Sequence, residues 1–248
     1  MASVPPSLVQ EPEAAVVLAP EDLPNVENLV TEDDTPVDTL FCAKQQRLLV
    51  EPLYSSWTGP GEGRPFLADA NVGVFYAIRQ PPLVPDAFLS LDVQAPADLW
   101  PKSHRSYFLW EYGKPPDTVI EVVSNQKGAE AERKLRVYAR IGVPYYGIFD
   151  PINQLAGGVL RVYRLHEGVY RLSEEKCLPM VGLGLTLWQG VYEGLAQTWL
   201  RWCDQDGNVI PTGAERAAAA VQQVEQERQR AERLTAQLRS LGIDPQEA

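Results

Sequence analysis

Apolar and polar positions change rhythm three times between Pro115 and Pro151, and each rhythm predicts a different element. Residues 118–123 form an apolar run broken once, the signature of a strand covered on both faces. After a polar turn, Ala131, Leu135 and Tyr138 recur at i, i+4 and i+7, which predicts a helix over about residues 129–141. Residues 145–149 are a second apolar run, so the segment reads as a βαβ unit. Upstream, Leu40, Leu48 and Leu53 among Lys44, Arg47 and Glu51 predict a helix between Pro36 and Trp57, with Asp38 or Thr39 as its cap. Residues 66–78 and 85–93 are expected strands on either side of the turn RQPPL. Downstream, GVLRVYRL and VYRL flank His166-Glu167-Gly168 as a hairpin, LPMVGLGLTLWQGVYEG reads as a short covering segment, residues 192–203 as a helix, and about residues 212–241 as a long helix.

The break in the first run is Glu121, among Val119, Ile120, Val122 and Val123. Taking an isolated carboxylate out of water costs several kcal/mol, so a glutamate there needs a cation, a metal or a proton. Lys134 lies roughly 60° from the centre of the helix's buried stripe, at the border of the core. Glu130 precedes it by one turn, where a Glu to Lys pair at i, i+4 adds a few tenths of a kcal/mol, and Arg133, Arg136 and Arg140 take the solvated side. A strand carboxylate and a border lysine can therefore meet above the sheet, either as a buried ion pair or as part of a reactive site.

Composition narrows the chemistry. The chain has 248 residues, enough for one substantial domain with appendages, and a net charge of −11. Nine of its 33 acidic residues and none of its 22 Lys and Arg lie in residues 1–40, so the remainder is close to neutral. Any nucleic-acid contact must then come from a local basic face. Three widely spaced cysteines without a CxxC pair indicate neither a disulfide framework nor a zinc site. Two isolated histidines, His104 and His166, exclude HNH nucleases, zinc hydrolases and histidine-dependent triads. No basic n-region or long apolar run marks a signal peptide or membrane span, and the expected location is cytoplasmic. TGPGEGRPF lacks the Lys-Ser/Thr of a phosphate loop and reads as structural.

PPDTVIEVVS followed by ERKLRVYARIGVPYYGIFDP resembles the Uma-type putative restriction endonuclease family of the PD-(D/E)XK nuclease superfamily, in which the lysine sits on the helix after the strand. The likeness extends through PPLVPDAFLSLDV, SYFLWEYGKPPD, GVYRL, LWQGVYEG and LRWCDQDGN, roughly residues 35–210. It implies an α/β fold with a restriction-endonuclease-like mixed sheet flanked by helices, here with an acidic N-terminal extension and a long C-terminal helix. It also implies a DNA substrate, Mg²⁺ or Mn²⁺ as cofactor, and hydrolysis of phosphodiester bonds. Carried over by position, Asp86 matches the metal-binding aspartate, Glu121 the acid of the third core strand and Lys134 the displaced lysine, with the backbone carbonyl of Val122 as a third metal ligand. The first helix offers no clear acid, Glu51 being the nearest candidate, and Glu130 stands where the family often has aspartate. Asp117, in a second Pro-Asp pair, lies roughly 13 Å from Glu121 along one strand at about 3.3 Å per residue, too far to share a small ion, whereas Asp86 approaches from a neighbouring strand.

The flanks carry further expectations. Residues 1–34 read as an acidic extended tail, solvated or wrapped over the domain, whose carboxylates could instead shield a basic nucleic-acid face. Residues 35–200 form the endonuclease-like domain and 201–248 a helical segment. Trp100, Tyr107, Trp110 and Tyr112 alternate with Lys102, His104, Arg105 and Lys114, which suits either an anchored loop or base stacking. Arg161, Arg164 and Arg171 give the hairpin either a basic or an ordinary solvated face. Ala217, Val224, Ala231 and Leu238, with Ala220, Leu234 and Leu241, make a heptad seam that joins two protomers or lies on its own domain. A non-catalytic interaction module working through this helix and the acidic tail is the alternative to an enzyme.

Overall fold

The computed structural model describes residues 22–31, 39–61, 63–124, 128–155 and 157–240, with backbone alone over 128–132. Its centre is a six-stranded mixed sheet in the order β1-β3-β5-β6-β7-β8, built from β1 (Phe66–Asp69), β3 (Ala87–Leu91), β5 (Thr118–Val122), β6 (Tyr145–Phe149), β7 (Leu160–His166) and β8 (Val169–Ser173). Strands β5 and β6 are its parallel pair, joined through helix α3 (Gly128–Ile141), and this is the βαβ unit expected from the apolar runs. Gly142, at φ 86°, ends α3 in the left-handed conformation that favours glycine. The β7–β8 hairpin turns on Glu167 and Gly168, both at positive φ, as a tight two-residue turn requires.

Each face of this sheet has its own core. On one, Ile120 and Val122 pack with Leu49 and Leu53 of α1 (Leu40–Ser55) and with Leu183, Leu185, Leu200 and Trp202 of a second sheet. That sheet comprises β9 (Cys177–Leu178), β10 (Leu183–Tyr192) and β11 (Leu195–Cys203). On the other face, Val119, Tyr146 and Ile148 pack with Tyr138 of α3 and with Val74, Leu83 and Tyr107. Thr39 caps α1 by accepting the Cys42 N–H at 3.0 Å; its alternative, Asp38, lies outside the described residues.

Three expectations need correction. Residues 192–203 are not helical: β11 pairs with β10 over nine registered positions, and the expected covering segment is itself the long strand β10. Five consecutive residues, Trp199 to Cys203, are buried, so the strand is covered on both faces and shows no alternation. The expected strand over 66–78 is broken: β1 stops at Asp69, Asn71 takes φ 57°, and β2 (Val74–Phe75) pairs in parallel with β4 (Tyr107–Phe108) in a separate two-stranded sheet. The four aromatics also divide. Tyr107 is buried and stacked on Tyr112, Trp110 packs beside Phe108 from within a short helix, α2 (Leu109–Tyr112), that also carries Tyr112, and Trp100 is 82% exposed.

The final helix, α4 (Gly213–Ser240), has no buried side chain among its described residues, so it does not lie on its own domain. Its root is clamped. Thr212 and Glu215 form a capping box, Glu215 accepts two bonds from the buried Arg201, and Arg201 stacks on Trp188. Of the N-terminal tail, residues 22–31 are described, and Val26 packs into a small core with Phe75 and Phe108.

Candidate active site

Register decides which side chains meet. In the antiparallel β3–β5 ladder Ala87 faces Ile120, so the residue before β3, Asp86, stands across from Glu121. The two chains are also tied directly: the Val122 N–H donates to Asp86 Oδ2 at 2.7 Å. Asp86 Oδ1 accepts from Gln46 Nε2 of α1 at 2.8 Å. A carboxylate at the mouth of β3 is thereby held by a strand on one side and a helix on the other.

Alternation along β5 sends Ile120 and Val122 into the α1 core and turns Glu121 toward α3. There Glu121 Oε2 accepts from Lys134 Nζ at 2.7 Å and Oε1 from the Tyr138 hydroxyl at 3.1 Å. Lys134 Nζ also donates to the Val84 carbonyl at 3.0 Å, bridging α3 to the segment that leads into Asp86. The Lys134 and Glu121 side chains are 15% and 13% exposed, shielded from bulk water yet not sealed. Asp86, Glu121 and Lys134 are therefore brought together.

Burial pushes the Glu121 carboxyl up to about 7. Lys134 pulls the other way, the facing Asp86 carboxylate adds to the rise, and Tyr138 opposes it slightly. Tyr138, buried beside the same carboxylate, is raised well above its ordinary value. The Glu121 carboxyl thus lies between the Lys134 ammonium, which binds it, and the Asp86 carboxylate, which repels its charge. The donors are hard oxygens, and a carboxylate oxygen can accept more than one bond. Such a set fits Mg²⁺ or Mn²⁺, which need only one or two protein carboxylates when substrate oxygens and water complete the shell. Among the described residues, no three His, Cys, Asp or Glu side chains form a complete protein cage.

Other candidates go elsewhere. Glu51 accepts the Gly213 N–H at 2.9 Å and so serves the start of α4. It follows Gln46 by five residues, about 140° round the helix, and it is Gln46 that reaches Asp86. Asp117 accepts from the Leu91 N–H at 2.7 Å and pairs with Lys114, at the entry end of β5. The side chain of Glu130 lies outside the described residues. Sequence reasoning missed Gln46 and the hydroxyl of Tyr138. The signal for Gln46 was a glutamine on the apolar face of an amphipathic helix, where a buried amide requires a partner.

A family model described as Uma2, putative restriction endonuclease, matches residues 32–183. The chain belongs to the Uma2 family. No curated protein matches it. Among solved structures, it is similar to a putative nuclease belonging to DUF820 from Anabaena variabilis, at 17% identity and a TM-score of 0.39, over 57% of this chain and 71% of that one. The family match of this Uma2 chain spans all three of Asp86, Glu121 and Lys134 and ends within β10. Among the described residues, no helix is long and apolar enough to cross a membrane.

Proposed function

We propose that this Uma2 chain is a divalent-metal-dependent endodeoxyribonuclease acting in the cytoplasm, hydrolysing DNA phosphodiester bonds at the cleft between β3, β5 and α3. The observation that carries the reading is the pairing of Asp86 and Glu121 across adjoining strands with Lys134 bound to one of them. Asp86, Glu121 and the Val122 carbonyl would hold Mg²⁺ or Mn²⁺. When bound, such an ion supplies positive charge against the charge that grows on the phosphate and lowers the pKa of an attacking water.

The chain's own groups divide the remaining work. Gln46 and the Val122 N–H fix the Asp86 carboxylate, and Tyr138 fixes that of Glu121. Lys134 Nζ, held as an ammonium by Glu121 and the Val84 carbonyl, would orient the attacking water and offset charge on the phosphate; the water's proton passes to solvent as the new P–O bond forms and the bond to the leaving ester oxygen breaks. Arg161 shares the cross-strand row: Glu121 registers with Ile148 and Ile148 with Arg161, two strands or roughly 10 Å away at about 4.8 Å per strand.

Incubation of the full chain with plasmid and with single-stranded DNA tests the reading, using Mg²⁺ or Mn²⁺ against a chelator. Cleavage that needs the ion and disappears in Glu121→Ala, with an unchanged circular dichroism spectrum, supports it. Equal cleavage by the variant ends it.

The exposed α4 favours an added element. Val224 is 69% and Leu234 51% exposed on the heptad seam, while the helix root is fixed by Arg201 and Glu215. We infer that α4 pairs with α4 of a second copy. The working division is then a tail over 1–34, a nuclease domain that begins at 35 and runs through the end of β11 at Cys203, and a pairing segment after it. A chain that dimerises but cleaves nothing would instead be a silent module of the same fold.

A further inference from the structure

A concavity lies one strand further along the sheet from the candidate site, on the side of β3 away from β5. Its walls are Asp69 and Phe88 from the sheet, Tyr112, and Trp100, His104 and Arg105 from the long loop, around a cavity of ≈ 640 Å³. That volume falls within the range of small-ligand sites and far exceeds a packing defect. The rim is braced. His104 Nδ1 bonds the Asp98 carbonyl at 2.6 Å, and Arg105 Nε donates to the Trp100 carbonyl at 2.9 Å. Trp100 nevertheless leaves its ring 82% exposed.

Register ties this cavity to the reactive pair. Asp69 faces Phe88 in the β1–β3 ladder, and Asp86 precedes Phe88 by two residues on the same strand. Asp69 and Asp86 are therefore diagonal neighbours, roughly 7–8 Å apart at the backbone. One unstacked nucleotide spans such a gap.

We propose that the cavity receives a nucleobase of the substrate strand, close to the cleaved phosphate, and prefers bases carrying an exocyclic amino group. The inference rests on the nuclease reading for the identity of the polymer. Flat aromatic walls suit a base π-face, and the exposed Trp100 ring offers a stacking partner. Asp69 supplies an acceptor; its Oδ1 accepts the Ala70 N–H at 2.8 Å, and its Oδ2 can accept an amine donor, the pairing that carboxylates make with cytosine N4. Arg105 and His104 on the rim match the negative backbone that a bound base brings with it. Partial burial raises the Asp69 carboxyl above its ordinary value, and the Ala70 N–H opposes the rise.

The chain contains two histidines, and one is in this wall. Their ring protons, followed by NMR on the full metal-free chain, make His104 the reporter and His166, on the β7–β8 hairpin, the internal control. Titration with dAMP, dCMP or dGMP should shift the His104 signals and leave those of His166 in place, with TMP at least tenfold weaker. Asp69→Asn should remove the preference over TMP. Trp100→Ala should weaken binding about tenfold, and Trp100→Phe should restore most of it. Absence of any His104 shift at tens of millimolar nucleotide, equal shifts with TMP, or equal shifts of both histidines would overturn the proposal. The assay needs neither metal nor cleavage. A chain that fails to cut DNA but passes this test loses the nuclease reading alone, and an active nuclease whose His104 is silent loses the base site alone.

Discussion

Asp86 is bound to the backbone of its neighbour: its Oδ2 accepts the N–H of Val122, the residue directly after Glu121, at 2.7 Å. One carboxylate is thus fastened beside the other, at the point where β3 begins and β5 ends. The geometry depends on backbone register more than on either side chain's rotamer. It also explains why a third group, Gln46 from α1, suffices to hold Asp86 from the opposite side.

Gln46 is the first place to test this arrangement. Gln46→Ala removes the amide that steadies Asp86 Oδ1, and groups supporting metal ligands typically contribute 10- to 100-fold in affinity. Calorimetric titration with Mn²⁺ should show a weakening of about that size, with cooperative thermal unfolding retained. Unchanged affinity would remove Gln46 from the site.

Tyr138→Phe deletes one hydroxyl from a buried ring and leaves its packing in place. The hydroxyl lowers the Glu121 pKa, so the variant should raise that pKa further and move the rising limb of a pH–cleavage profile to higher pH. A profile superimposable on the wild type would show that the Tyr138 bond does not reach the chemistry.

Stability should carry the signature of Glu121. Its folded-state pKa is about 7, above the ordinary 4.5, so the folded chain holds this proton more tightly than the unfolded chain does. The contribution is fully present below about pH 4.5 and is lost as pH rises through about 7. In the absence of metal, denaturant midpoints of the wild type should therefore fall relative to Glu121→Gln across that window. Mn²⁺ should reverse the trend because it binds the deprotonated carboxylate. Parallel curves for the two proteins would contradict the assignment.

The exposed α4 predicts a concentration-dependent dimer. Removal of the whole helix would strand Arg201, which is 2% exposed and paired with Glu215, so a chain ending at residue 221 is the better probe. Sedimentation should show the full chain as a dimer and the shortened chain as a monomer. Equal masses would dismiss the pairing.

How much of this was legible in the sequence varied with how each segment is buried. The central unit was clear because α3 has one apolar stripe and β5 is interrupted by a single charge, so Glu121 and Lys134 marked themselves as misfits. Strand β11 was hidden. Leu195, Trp199 and Trp202 imitate helical spacing, and burial of Trp199 through Cys203 on both faces erases the alternation that would reveal a strand. The break after β1 depends on Asn71 entering the left-handed region, which polar loop residues tolerate without announcing it. Tyr138 stood in the sequence as one member of a buried helical stripe, and Gln46 carried no reading of its own. Their roles arise from what the sheet register places opposite them, which local pattern does not encode.

The central claim is that Asp86 and Glu121 hold one divalent ion between them. Titration of Mn²⁺ into the full chain near pH 8, followed by the loss of free-ion paramagnetic resonance signal, addresses it without requiring DNA. The account predicts a site in the wild type that is lost in Asp86→Asn and in Glu121→Gln, but retained when Asp117 is changed to Asn. Equal binding by all four proteins, or no binding by the wild type, would contradict it.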